Sequence, residues 1–217
     1  MNARKYLAEL IGTFILVLMG SMAIAAAGMM SVPVLIVVPF GFGLGLLAAI
    51  HSAGYVSGGH FNPAVTLAAY LDRRTGARDA LLYVVAQLIG AIAASGLLLL
   101  IAGQAAVAST TSSFPPGKMT EAVIVEGTLT AIFLIVILTV TKRSPNHAAF
   151  AIPLTLTAIH FAGIPFSGAS VNPARSIAPA LVSGTLDPNI LVWIVGPLVG
   201  AAIGWGLYRA LEDGSTR

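Results

Sequence analysis

From Leu10 to Leu71 the chain contains no Asp, Glu, Lys or Arg. Those 62 uncharged residues exceed any one core helix or strand of a soluble domain. At ~20 residues per bilayer crossing they hold two spans with some chain left over. Composition points the same way, with charged residues at 9% of 217 against roughly 25% in soluble domains. A soluble fold of this length would bury a core but still need a charged exterior. The chain is therefore read as an integral, multi-pass membrane protein. A net charge of +3 does not imply a nucleic-acid partner, because the cations are few and scattered and fit the positive-inside rule better. Cysteine is absent, so disulfides and thiol chemistry are excluded.

Six long apolar segments are expected near 6–28, 33–54, 80–101, 122–141, 148–164 and 190–208, and two half-length pieces at 62–71 and 172–183. The first segment has one outline of a signal peptide, Arg4-Lys5 before an apolar run ending in Ala25-Ala26-Ala27. It is long for that role, and its removal would break an internal repeat. A shift of 110 residues lays Ser57 on Ser167 and Asn62-Pro63-Ala64 on Asn172-Pro173-Ala174. The same shift carries Leu81, Val85, Leu88, Gly90 and Ala91 onto Leu191, Val195, Leu198, Gly200 and Ala201, while a shift of 117 lays Glu9 on Glu126. The chain then reads as one transmembrane unit, 1–217, made of repeats at about 1–105 and 118–217. Three spans per repeat force the second to cross upside down, the pattern that points to a central site or pore.

Charge distribution gives the orientation. With the N-terminus inside, Arg4, Lys5, Arg73, Arg74, Arg78, Lys142, Arg143, Arg209 and Arg217 fall on the cytoplasmic face, nine of the eleven basic residues. Lys118 alone lies in the opposite loops, and Arg175 sits inside the second half-length piece. Both termini are expected in the cytoplasm. Met29–Pro33 and Ser109–Ser113 are expected as outer loops and His147 as a loop residue, with His51 and His60 as structural residues.

Each triplet reads as a helix start, since Asn is a strong N-cap and Pro suits the first helical position. Roughly ten apolar residues follow, ~15 Å of helix or half a bilayer. Gly54 and Ser57-Gly58-Gly59 before the first triplet favour irregular backbone. Each triplet should end a loop that dips to the midplane and begin a half-helix returning to its own face. Two N-termini meeting there would each present roughly +0.5 charge, which repels cations. The Asn oxygen can cap its own helix while its NH₂ group donates into a lumen, holding a water by its oxygen.

The strings Ser57-Gly58-Gly59-His60-Phe61-Asn62-Pro63-Ala64-Val65-Thr66 and Ser170-Val171-Asn172-Pro173-Ala174-Arg175-Ser176 resemble the two signature loops of the aquaporin, or major intrinsic protein, family. The resemblance covers essentially the whole chain. It implies an all-α membrane fold, a right-handed bundle of six transmembrane helices with two re-entrant half-helices in inverted repeats, assembled in lipid as a homotetramer with one pore per subunit. It assigns Glu9 and Glu126 to bracing the re-entrant loops. It places a selectivity filter at Phe42, His160, Ala169 and Arg175, with Phe narrowing the wall and His and Arg donating to water. Glycerol-conducting relatives carry Trp and Gly at the first two of these positions and Asp after the Arg, where this chain has Phe42, His160 and Ser176; Ala180 also follows the water-channel pattern. Trp193-Ile194 and the small Ala169 depart from the water-channel pattern.

The expected function is passive, single-file water permeation that excludes protons and ions, in the plasma or inner membrane. Ammonia, hydrogen peroxide or glycerol is the alternative permeant, and a secondary transporter a further one. Enzyme activity has no support, because there is no metal-ligand cluster, nucleophile–base arrangement or nucleotide loop. No cofactor or metal is expected. Gly41/Gly45 and Gly196/Gly200 suit close helix packing.

Overall fold

The computed structural model describes residues 3–213, so Arg217 lies outside the described residues. In chain order come α1 (Ala3–Met30), α2 (Val34–Ala49) and a π-helical turn (Ile50–Gly54) leading into the short α3 (Tyr55–Ser57). There follow α4 (Pro63–Leu71), α5 (Ala77–Ala108), α6 (Met119–Arg143), α7 (Pro145–Ser167), α8 (Pro173–Ser183), a 3₁₀ turn (Pro188–Leu191) and α9 (Val192–Asp213). Among the described residues six helical segments are long and apolar enough to cross a membrane, with α2 through α3 forming one of them. The half-helices α4 and α8, of 9 and 11 residues, are too short to do so.

Polarity is inverted relative to a soluble bundle. Leu81, Ile124, Leu154 and Leu100 are each more than 60% exposed, whereas Glu9, Gln87 and Glu126 are fully buried. Without a hydrophobic drive between spans, close approach of backbones does the packing. A Cβ placed on Gly45 would stand 3.0 Å from Met19 Cβ, and one on Gly196 only 2.7 Å from Glu126 Cβ. These glycines seat α2 on α1 and α9 on α6, as the spacing of the pairs implies.

The contacts obey the repeat. Helix α1 packs on α2 and α5 as α6 packs on α7 and α9, and α2 meets α7 between the halves. Each half-helix lies against the last span of the other repeat, α8 on α5 and α4 on α9. Polar side-chain links instead recur within each repeat. Lys5 and Tyr6 reach Asp79 from α1 to α5, while Lys142 and Arg143 reach Glu212 from α6 to α9.

Three elements differ from the sequence expectation. Helix α5 runs past 101 to Ala108, broken at Gly103 by a left-handed φ of 80° that only glycine adopts freely. The break turns the chain back over α8, where Gln104 Nε2 donates to the Ser183 carbonyl at 2.9 Å. The Ser109–Ser113 stretch is a loop, as expected, exposed at Ser109 and Ser113, but it folds inward at Thr110, which is buried. Between α6 and α7 only Ser144 intervenes, because Pro145 can start a helix at once. His147 therefore lies in the first turn of α7, not in a loop.

Candidate functional site

Asn62 and Asn172 cap their half-helices from extended backbone. Asn62 Oδ1 accepts from Ala64 N at 2.8 Å, and Asn172 Oδ1 from Ala174 N at 3.1 Å and Arg175 N at 3.4 Å. Pro63 and Pro173 occupy the first helical positions, and Ala64 and Ala174 are completely buried behind them. The two caps are also cross-linked. Asn62 Nδ2 donates to the Val171 carbonyl at 2.8 Å, and Asn172 Nδ2 donates to the Phe61 carbonyl at 3.0 Å. Each amide has two N–H groups, so this exchange leaves a second donor on each Asn, and both residues line the central lumen.

The loops before the triplets share one irregular conformation. Positive φ recurs at Gly58 and Gly168, at Gly59 and Ala169, and at Phe61 and Val171. Such a backbone turns its N–H groups inward, and at membrane depth they need acceptors. Glu9 takes the Ser57 hydroxyl at 2.6 Å, the His60 N–H at 2.9 Å, the Phe61 N–H at 2.7 Å and Gln87 Nε2 at 2.7 Å. Glu126 takes the Ser167 hydroxyl at 2.7 Å and the Ser170 and Val171 N–H groups at 2.8 Å each. Ala169 carries in the second loop the left-handed strain that glycine relieves in the first.

A second pair of braces was not foreseen from the sequence. Tyr83 OH donates to the Ser57 carbonyl at 2.7 Å, and Trp193 Nε1 donates to the Ser167 carbonyl at 2.7 Å. Tyr83 and Trp193 stand 110 residues apart, in the register of the triplets. Trp193, which departs from the water-channel pattern, is thus the second-repeat counterpart of Tyr83. Replacing Trp193 with Phe keeps a smaller aromatic ring and removes the donor to the Ser167 carbonyl. A loss of about 1–3 kcal/mol is expected, read as a lowered melting temperature in detergent. Tyr83→Phe should lower it comparably.

A cavity of about 280 Å³ runs between the loops. At one end Phe42 and His160 stack, with ring centroids 4.6 Å apart and planes 14° apart. Arg175 places its Cζ 4.9 Å from the centre of the Phe42 ring. Its Nη1 donates to the Thr110 carbonyl at 3.1 Å and to Ser112 Oγ at 2.7 Å, so the 109–113 loop is what holds the guanidinium. Phe42, His160 and Arg175 all line the lumen. Ala169 is not brought into that lining. It is fully buried, and a Cβ added at Gly163 would stand 2.9 Å from its own Cβ.

His160 Nδ1 lies 2.8 Å from the Leu156 carbonyl. A carbonyl can only accept, so Nδ1 carries the hydrogen; if the ring is neutral, Nε2 is then an acceptor rather than the donor the resemblance implies. Nε2 has no partner among the described residues. At this end of the cavity Arg175 is a donor, and a neutral His160 would be an acceptor. His60, expected as structural, is so and is also part of the lumen wall. It bonds Thr66 Oγ1 at 3.1 Å and packs edge-on to Tyr83.

The opposite end of the lumen is bounded by Arg74, which sequence reading counted only as a basic loop residue. Arg74 donates to Asp72 Oδ2 at 2.7 Å, Thr141 Oγ1 at 2.6 Å and the Leu138 carbonyl at 3.0 Å, and lies over the Tyr208 ring. Each lumen end therefore carries an arginine tied to a carbonyl, to hydroxyl oxygen and to an aromatic face, Arg74 also reaching Tyr208 OH at 3.3 Å. Of the two, Arg74 has a carboxylate partner among the described residues, so the fixed charge at its end is largely compensated.

Comparison with known proteins agrees with this architecture. The family described as Major intrinsic protein matches residues 1–208. Aquaporin Z of Photorhabdus laumondii is 41% identical over 225 aligned positions, covering 96% of this chain and 97% of the relative. Glycerol uptake facilitator protein-like 6 of Lactiplantibacillus plantarum is 38% identical over 207, covering 92% and 94%. Among solved structures, the aquaglyceroporin from Plasmodium falciparum superposes with a TM-score of 0.86 at 23% identity, covering 99% of this chain and 97% of its own.

Proposed function

The chain belongs to the major intrinsic protein family, and from that premise we propose that this non-enzymatic, multi-pass membrane channel conducts water as its main permeant. The observation that carries the reading is the Phe42–His160 stack closed by Arg175. Two parallel rings and a guanidinium over one of them leave a passage suited to a molecule that both donates and accepts hydrogen bonds, and water does both at minimal size. The free amide donors of Asn62 and Asn172 then take the water oxygen at mid-lumen. Held there by its acceptor sites, the molecule is badly placed to relay a proton. The N-terminal dipoles of α4 and α8 and the charge of Arg175 oppose cations.

Glu9 and Glu126 do not act as coupling acids of a transporter in this reading, because loop donors occupy both oxygens of each. Glycerol remains the second reading, favoured by the absence of the Ala169 side chain from the lumen wall. The unit is a single channel domain, a homotetramer in the cell membrane with both termini cytoplasmic. The orientation is supported by the basic ends of α1, α5, α6 and α9 gathering at one face.

Stopped-flow light scattering on protein-containing liposomes tests the proposal. Water flow should exceed that of empty liposomes with a low activation energy, while glycerol flow stays at background. Glycerol flow in the wild type comparable to its water flow would favour the second reading. Water flow no faster than in empty liposomes would rule out the first.

A further inference from the structure

On the face opposite the basic one lies a second cavity, about 490 Å³, that shares no lining residue with the lumen. It is formed by the 111–117 connection, Ser176 and Ala180 of α8, the 185–190 segment and Trp193 at the start of α9. We propose that this cleft is a binding site for a neutral polyhydroxylated solute, a sugar alcohol or small sugar, and that its occupancy is felt at Arg175.

Its walls carry the chemistry such a ligand needs. Ser113, Ser176 and Thr185 line the cavity with Asp187, the Ser176 hydroxyl already bonded to Ser112 and Ser170 and that of Thr185 to Ser183, while Phe114 and Trp193 supply an aromatic side. Those two rings lie 5.7 Å apart at 45° to each other. Hydroxyls donate and accept, matching vicinal diols, and the C–H face of a polyol covers an aromatic ring. The volume falls in the roughly 300–1,000 Å³ range of small-molecule sites. An anion is disfavoured because the only charge in the wall is the Asp187 carboxylate. The Asp187 carboxylate is partly engaged, its Oδ1 accepting the Asn189 N–H at 2.7 Å, and it is a single acid with no second carboxylate in the wall to hold a cation. Lys118 nearby is paired with Glu121 rather than presented to the cleft.

The cleft is preformed and wired to the lumen. Trp193 is pinned by its bond to the Ser167 carbonyl, and the 112–113 backbone sits directly on Gly168, where an added Cβ would stand 3.2 Å from Ser113 N. Ser112 Oγ, in the cleft wall, is the hydroxyl that accepts from Arg175, and it also bonds Ser176 Oγ at 3.0 Å. A polyol that recruits Ser112 or Ser176 competes with the anchor of the guanidinium.

The chain has two tryptophans, so Trp205→Phe leaves Trp193 in the cleft as sole reporter. Titrated with sorbitol, this protein should show a saturable change in emission, half-complete in roughly the millimolar range for so small a ligand. Adding Ser113→Phe at the rim, or separately Thr185→Val, should abolish or weaken the change while gel filtration stays normal. A linear drift shared by all three proteins would overturn the site, and saturation by tetramethylammonium instead of sorbitol would overturn the neutral class. With sorbitol equal on both sides of the membrane, water flow should fall about twofold or more in wild type and not in Ser113→Phe. Unchanged flow would overturn the link to Arg175. Because the fluorescence readout is independent of permeation, it stands or fails separately from the water-channel reading.

Discussion

Glu126→Leu is expected to abolish recoverable folded protein, or to leave a protein that melts far below wild type and passes water no faster than empty liposomes. The substitution strands the Ser167 hydroxyl and the N–H groups of Ser170 and Val171, all buried. Each stranded donor costs about 1–3 kcal/mol. Three together approach the whole stability of an ordinary fold, about 5–15 kcal/mol. Glu126→Gln should fall between, because its carbonyl oxygen can still serve Ser167 and Ser170 while its NH₂ group opposes the Val171 donor. Glu9→Leu should be at least as damaging, since Gln87 loses an acceptor as well. Thermal stability of the purified variants, set beside their water flow, checks the ranking. A Glu126→Leu protein that melts within a few degrees of wild type and conducts normally would remove the brace from this account.

Much of this arrangement could be read from the sequence because it is local or repeated. Asn-Pro-Ala specifies a cap, a first helical residue and a small packing residue within three positions. The distance to Asp72 then limits α4 to half a span. The bracing acids came from the family resemblance, and the need of a membrane carboxylate for donors is consistent with it. What escaped reading depends on distant contacts. Nothing in the order Ser109 to Ser113 shows that Gly103 turns the chain back, so the carbonyl and hydroxyl that hold Arg175 looked like loop residues. Arg74 meets acceptors on α6 and α9, 64 or more positions away. Two features were within reach. Carrying the 110-residue register to Tyr83 would have paired it with Trp193. The i−4 carbonyl of Leu156 would have fixed the tautomer of His160.

Arg175→Val is expected to open the lumen to cations and protons while water flow stays within about twofold of wild type. A unit charge about 4 Å from a passing cation, at an effective dielectric near 20, opposes it by about 4 kcal/mol, roughly a thousandfold in passage. The dipoles of α4 and α8 remain in the variant, so part of the barrier survives and a leak of roughly one hundredfold or less is the realistic outcome. Arg175→Lys should not restore the wild-type barrier fully. A single ammonium can hold Thr110 or Ser112 but cannot also lie flat over Phe42. The double variant Phe42→Trp/His160→Gly separates width from charge. Removing the imidazole makes room for a three-carbon polyol and deletes the Nε2 acceptor, yet leaves the guanidinium in place. Glycerol flow should rise at least tenfold, a change of about 1.4 kcal/mol in barrier, with no proton leak. If the double variant leaks protons as readily as Arg175→Val, the stacked pair and not the fixed charge carries the exclusion. If neither variant changes any flux, the narrow point of the lumen lies elsewhere, and the compensated arginine at Arg74 is the next place to probe.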